Sequence, residues 1–230
     1  MKALLVNGSP HTARGVHASI LDTFEEGLRK AGSEVTRINA YGQSIQPCLG
    51  CFTCWTRTPG KCIQEDDMKS LLPLVAQSDI LALATPVYVD GMTGPMKTFM
   101  DRLIPLLKGR VELRDDHMRH IVREDVKQGK VVLLSASGFA EMDNFDPLVA
   151  HVKAATRNLG REYAGEILIP GGWLLLRSKA MEEVTGMVRS AGVELVEKGR
   201  IPGGLSRKIH ELVSRDEVVD ALNAYYGKFE

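Results

Sequence analysis

The sequence predicts an α/β fold: a three-layer sandwich around a five-stranded parallel sheet of order 2-1-3-4-5. Three observations predict it. Short apolar runs at residues 3–6, 80–84, 130–135 and 164–169, with a weakly alternating run at 34–40, have the length and make-up of strands, the continuous ones buried on both faces. These runs alternate along the chain with stretches of helical period. Right-handed crossovers between successive strands then make the sheet parallel and cover both of its faces.

The elements follow in order. Residues 17–31 repeat Ile20, Leu21, Phe24 and Leu28 at helical spacing, and Gly32 supplies a stop. A second helix, at about 67–77, puts Met68, Leu71, Leu72 and Val75 on one face, although Pro73 is expected to kink or shorten it. A third helix is predicted over 94–107. Asp146 and Pro147 read as an N-cap and first-turn pair for a fourth, ending near residue 160. Residues 178–198 and about 205–226 read as terminal helices. The whole chain is expected to form one domain, 1–230, with a charged insertion arm at about 109–129 and a C-terminal helical extension at about 178–230.

The 230 residues are 44% hydrophobic and 25% charged, with 29 basic and 29 acidic side chains. A net charge of zero argues against nucleic acid as a partner, because phosphate contacts need a basic excess. No run reaches the roughly 18 apolar residues of a membrane span. The N-terminal apolar stretch is too short for a signal peptide and reads as a strand, so a cytoplasmic protein is expected. All four cysteines lie between Cys48 and Cys62. A disulfide framework would spread them out; crowding points to metal or redox chemistry in a reducing compartment.

In an open parallel sheet, ligands bind beyond the carboxyl ends of the strands. The turn after the first strand holds Ser9, His11, Thr12, Arg14, Gly15, Val16 and His17. Its hydroxyls, its basic side chain and the helix N-terminus behind it suit an anion, and the lack of Gly-Lys-Ser/Thr makes a monophosphate a better fit than a triphosphate. The turn after the third strand holds Pro86, Val87, Tyr88, Val89, Asp90 and Gly91: a stiffened backbone with one flat amphipathic side chain, able to lie against a ring. The turn after the fourth holds Ser135, Ser137 and Gly138, small residues that allow close approach. Taken alone, each turn is also compatible with a plain connection. Together they read as one site.

On Gly8-Ser9-Pro10, on Thr85-Pro86-Val87-Tyr88 continuing to Met96-Lys97-x-Phe99-x-Asp101-Arg102, and on Cys48-x2-Cys51-x2-Cys54-x7-Cys62 followed by Asp66-Asp67-Met68, the chain resembles the iron–sulfur flavoprotein branch of the NADPH-dependent FMN reductase family. The resemblance covers about residues 1–175. It implies a flavodoxin-like fold, FMN phosphate on the first turn and the flavin ring on the other two. It also implies electrons from NAD(P)H or a ferredoxin-like donor, a small-molecule acceptor, and a homodimer or homotetramer. One departure stands out: the family's Gly-Asn-Thr is Gly15-Val16-His17 here, so the phosphate contact of the Thr hydroxyl falls to His17 or to backbone N–H groups.

Four thiolates at x2, x2 and x7 on one loop can converge on a [4Fe–4S] cluster. Tetrahedral zinc is the rival, and residues 55–60 could also hold Cys62 apart and leave the thiols free. His117 and His120, beside Asp115 and Asp116, belong to a solvated arm rather than a metal site. Trp173 with Leu174, Leu175 and Leu176 could pack at a subunit interface. No triad or paired-carboxylate pattern marks a catalytic acid or base. The expected activity is that of an FMN-dependent oxidoreductase; the alternatives are a non-enzymatic electron carrier and a flavin-free zinc or thiol redox sensor.

Overall fold

The computed structural model describes residues 1–229. Its strands are β1 (Lys2–Asn7), β2 (Glu34–Asn39), β3 (Ile80–Pro86), β4 (Leu107–Arg114), β5 (His117–Val122), β6 (Lys130–Ala136) and β7 (Glu162–Ile169). Its helices are α1 (Gly15–Lys30), α2 (Thr53–Thr56), α3 (Met68–Gln77), α4 (Gly94–Asp101), α5 (Asp146–Asn158), α6 (Gly172–Leu175), α7 (Ala180–Lys198), α8 (Leu205–His210) and α9 (Arg215–Tyr226). The main sheet is parallel throughout, in the order β2-β1-β3-β6-β7. Counting only its own strands, that is the expected 2-1-3-4-5. The predicted arm is an antiparallel hairpin, β4-β5, turned by Asp115 and Asp116 in the left-handed region (φ 52° and 58°).

Successive side chains of a strand point to opposite faces, so each buried strand feeds two cores. On β1, Ala3 and Leu5 join Ile20, Phe24 and Leu28 of α1 and Val184, Val188 and Leu195 of α7. Leu4 and Val6 join Met68 and Val75 of α3, Phe99 of α4 and Leu148 of α5. Apart from Ala3, each such fully buried side chain contributes about 1.5–3 kcal/mol of transfer free energy.

Four local expectations are corrected. Pro73 lies inside α3 without ending it. The ring is on the exposed side, so the Lys69 carbonyl that loses its partner can be hydrated. At the C-terminal end of α3, the buried Arg161 guanidinium donates to the carbonyls of Val75 (2.6 Å) and Ser78 (3.1 Å), and burial pushes its pKa down to about 10. The helix predicted over 94–107 stops at Asp101; Pro105 sits in a 3-10 turn, Ile104–Leu106, that leads straight into β4. Asp146 is the first residue of α5 rather than its N-cap, because a 3-10 turn, Met142–Phe145, runs directly into the helix. The last predicted helix is two. Ser214 starts α9 by accepting from the Glu217 N–H at 3.4 Å, a capping arrangement that the Ser-x-x-Glu spacing encodes.

α1 and α7 meet backbone to backbone at Gly27 and Gly192. A Cβ on Gly27 would lie 2.2 Å from the Arg189 carbonyl oxygen, and one on Gly192 would lie 2.7 Å from that of Phe24. Gly186, also in α7, has nothing within 4 Å of such a Cβ. Gly27→Ala is therefore expected to destabilise by about 2–3 kcal/mol despite its better helix propensity. Gly186→Ala is expected to stabilise by about 0.5–1 kcal/mol. Urea unfolding of both variants checks the contrast.

Candidate functional site

The carboxyl ends of β1, β3, β6 and β7 lie along one edge of the sheet, and buried hydrogen bonds lace their turns together. The Gly8 N–H donates to the Ala84 carbonyl (2.7 Å), and the Gly8 carbonyl accepts the Thr93 hydroxyl (2.7 Å). The Thr93 N–H donates to the Thr85 hydroxyl oxygen (3.1 Å), while the Ser135 hydroxyl donates to the Thr85 carbonyl (2.7 Å). Asn7 links its side-chain N–H to Asn39 on β2 (3.1 Å) and accepts the Ser9 N–H (3.0 Å). Gly8 has no room for a side chain: a Cβ would stand 2.9 Å from the Met96 methyl.

The first turn wraps the start of α1. Ser9 is buried, and its hydroxyl oxygen accepts the His11 N–H (3.2 Å). Gly15 turns the chain at φ 86°, with open space where a side chain would be. The helix opens without a side-chain cap and without an acidic residue in its first turn, so its positive end is left for another acceptor. Arg14 lies exposed at that end and Val16 half-buried beside it. His17 is 6% exposed, and neither of its ring nitrogens makes a hydrogen bond. Burial pulls its pKa from 6.5 to about 4; the nearby Ala136 backbone opposes this in part, and the charge of His11 adds a smaller fall. A buried ring with two unsatisfied polar atoms is costly and asks for a functional reason.

In the second turn, Tyr88 and Gly91 exchange backbone hydrogen bonds (2.9 and 3.1 Å) around Val89 and Asp90, both left-handed (φ 47° and 59°). For a β-branched residue this is a real backbone outlier, and Val89 is 99% exposed. The Val87 N–H ties this turn to the Ala136 carbonyl (3.0 Å). In the third, the Ser137 hydroxyl donates to the Phe139 carbonyl (2.7 Å), the Gly171 and Gly172 N–H groups hold the same turn from β7, and Gly138 faces open space. The rim thus gathers Ser9, His11, Arg14, Gly15, Val16 and His17, then Val87 to Gly91, then Ser137 and Gly138. Pro86 and Ser135 lie just below it, buried at the strand ends.

The thiol loop leaves the same edge after β2. Cys48, Cys51, Cys54 and Cys62 all line one small cavity, with Ile104 and Arg102 among its walls. Cys48 and Cys51 are exposed, Cys62 is half-buried and Cys54 is buried. Burial pushes the Cys54 thiol up, and neighbouring Cys62, Cys48 and Cys51 add to the rise; hydrogen bonding with Thr53 pulls Cys51 down. Among the described residues, no three His, Cys, Asp or Glu side chains group closely enough to hold a metal ion. His117 is exposed, and the half-buried His120 ring packs on Trp55 at 4.4 Å, so neither arm histidine joins such a group. Trp173 packs against Tyr225 and under Arg177.

Four supporting residues have roles that sequence reasoning does not assign: Asn7 and Thr93, and also Asp66 and Arg102, which the sequence marks only as motif positions. Asn7 and Thr93 look like ordinary strand-end polar residues. Arg102 had a signal, since Met96, Phe99 and Leu103 mark a buried helix face that a charged side chain directly adjoins.

Residues 1–144 match the family model described as NADPH-dependent FMN reductase. An iron-sulfur flavoprotein of Archaeoglobus fulgidus is 41% identical over 105 residues, which is 46% of this chain and 46% of that protein. An iron-sulfur flavoprotein of Methanosarcina thermophila is 24% identical over 115 residues, 50% of this chain and 59% of that one. The chain thus spans about half the length of the curated relatives it matches. Among solved structures, an FMN-dependent NADH-azoreductase from Bacillus anthracis in complex with FMN superposes with a TM-score of 0.63 at 15% identity, over 85% of this chain and 99% of that one. An NAD(P)H:quinone oxidoreductase from Methanothermobacter marburgensis superposes with a TM-score of 0.59 at 19% identity, over 84% and 95%. These likenesses show the fold. No helix among the described residues is long and apolar enough to cross a membrane. With a family match over more than half of its 230 residues, the chain belongs to the NADPH-dependent FMN reductase family.

Proposed function

We propose that the chain is an FMN-dependent oxidoreductase that draws electrons from NAD(P)H or a reduced carrier and uses a [4Fe–4S] cluster on its thiol loop as a one-electron relay to a small-molecule acceptor. The observation that carries the flavin part is the laced rim, three turns held rigidly along one sheet edge with open space at Gly15 and Gly138. Its first turn has the donors for a phosphate: the uncapped α1 terminus, the Ser9 hydroxyl, Arg14, and the unpartnered His17 ring. The Tyr88–Gly91 turn and the Ser137–Gly138 turn provide backbone groups that can orient the flavin ring. No side chain on the rim is assigned as an acid or base.

The donor set supports the relay. Four soft thiols from one loop share one cavity, the ligand type of an iron–sulfur cluster. A single zinc would draw the sulfurs to roughly 3.8 Å apart, as a tetrahedron with bonds of about 2.3 Å requires. Among the described residues the thiols share a cavity without forming a ready-made single-ion group, so either occupant would have to draw them together. When bound, FMN supplies a two-electron centre that accepts hydride, and the cluster supplies one-electron steps. The chain's own part is to hold the two, exclude water at Cys54, and fix the thiol loop.

Three outcomes are expected. Added FMN should bind one per chain, seen as quenched flavin fluorescence, and Gly138→Val should weaken it at least tenfold while leaving the unfolding midpoint of the FMN-free chain unchanged. Unquenched flavin with the wild-type chain would sink the proposal. The anaerobically reconstituted chain should hold four irons, and Cys54→Ser should lose them; zinc with no iron would favour the redox-sensor alternative. NAD(P)H oxidation with a quinone acceptor should be measurable, and its absence beside rapid reduction by ferredoxin would favour the carrier.

His17 gives a pH signature. Its folded pKa is depressed, so below pH 6.5 the unfolded chain takes up a proton that the folded chain refuses until about pH 4. Stability contributed by the neutral ring is complete above pH 6.5 and is lost as pH falls toward 4, by up to about 3 kcal/mol. Between pH 7 and 4, urea melts of the FMN-free chain should show a loss larger by that amount than in His17→Asn. Saturating FMN should shrink the difference if its phosphate meets the protonated ring. Matching pH profiles for wild type and variant would remove His17 from the phosphate site.

A further inference from the structure

Arg102 follows the last residue of α4 and is 1% exposed, the largest fully buried side chain of the described residues. Its guanidinium reaches both ends of the thiol loop at once. One terminal nitrogen donates to the Gln46 carbonyl (2.6 Å) and to one Asp66 carboxylate oxygen (2.5 Å). The other donates to the second Asp66 oxygen (3.0 Å) and to the Cys62 sulfur (3.4 Å). Asp66 in turn accepts the Gln46 N–H (2.9 Å) and the Met68 N–H (3.1 Å). The neck of the loop, Gln46 just before Cys48 and Asp66 just after Cys62, is thus closed around one planar fork. One N–H of the fork points at Cys62, the thiol with the longest gap to its neighbours, while the Nε–H has no partner among the described residues.

A buried cation is costly unless it is paired and hydrogen-bonded. A neck built only to close the loop could use a neutral side chain. The structure retains an arginine, pairs it bidentately with Asp66, and directs one donor to sulfur. Hydrogen bonds and charge at cluster sulfurs are among the determinants of reduction potential. An N–H donor and a positive charge favour the reduced, more negative state.

We infer that Arg102 is a positioning residue that sets the Cys62 thiolate against the other three thiols and raises the reduction potential of the cluster they hold, with Asp66 moderating its charge. This rests on the cluster reading above. Lysine cannot reproduce the planar fork. In the FMN-loaded, anaerobically reconstituted chain, Arg102→Lys should therefore shift the one-electron reduction of the cluster about tenfold toward the oxidised form, equivalent to about 59 mV. Asp66→Asn keeps the shape of the neck but leaves the cation unneutralised, and should shift it the opposite way.

Spectroelectrochemical titration of wild type and both variants tests this, with the iron-to-FMN ratio measured in each sample. Opposite shifts at an unchanged ratio are expected, because a purely structural clamp would not give shifts of opposite sign. Potentials unchanged in both variants, or shifted in the same direction, would overturn the inference and leave the cluster reading intact. Loss of iron from either variant with FMN retained would make Arg102 and Asp66 a clamp only, and overturn the tuning role. A wild-type chain that binds FMN but takes up no iron would sink the cluster reading and this inference together.

Discussion

The constraint on which the rest of the structure depends is that a parallel sheet with right-handed crossovers delivers every strand's carboxyl end to the same edge. Thr85 converts that topology into a rigid rim. Its carbonyl takes the Ser135 hydroxyl and its own hydroxyl takes the Thr93 N–H, while Thr93 reaches across to Gly8. Three turns that are distant in sequence are thereby fixed relative to one another by buried bonds, each of which would be expensive to leave unmade. Packing from both cores holds the strands behind them.

Against that rigidity, two features of the rim are unsatisfied or strained. His17 is buried with no partner for either nitrogen, and Val89 adopts a backbone conformation that a β-branched side chain resists. Departures of this kind persist only when surrounding structure over-determines them. His17 lies in the first turn of α1 and Val89 in the turn after β3, both along the edge where the flavin is proposed to bind. The thiol loop instead holds a buried charge whose partners close the loop's neck.

Much of this architecture was legible in the sequence, for physical reasons that can be named. Strands such as ILALA at 80–84, buried on both faces, write themselves as continuous apolar runs, and α1 writes itself as a 3.6-residue period. The three turns were legible because topology sends them to one edge. Less legible were boundaries set by local chemistry, such as the stop after Asp101 ahead of Pro105, or Ser214 dividing a long apparent helix. Least legible were the residues that act through tertiary geometry. Nothing near Arg102 in sequence announces that it will meet Gln46, Cys62 and Asp66, and Thr93 gives no hint of Gly8. Such pairings join residues 36 to 85 positions apart.

The β4-β5 hairpin is fastened to the thiol loop. Arg123, just past its end, donates to the carbonyls of Cys54 and Pro105, and the Trp55 ring lies between those of Phe52 and His120. Neither segment can fray without exposing the other's unpaired backbone and aromatic surface. Arm and loop are thus a single cooperative opening unit, whose amides would exchange with solvent together and apart from those of the sheet.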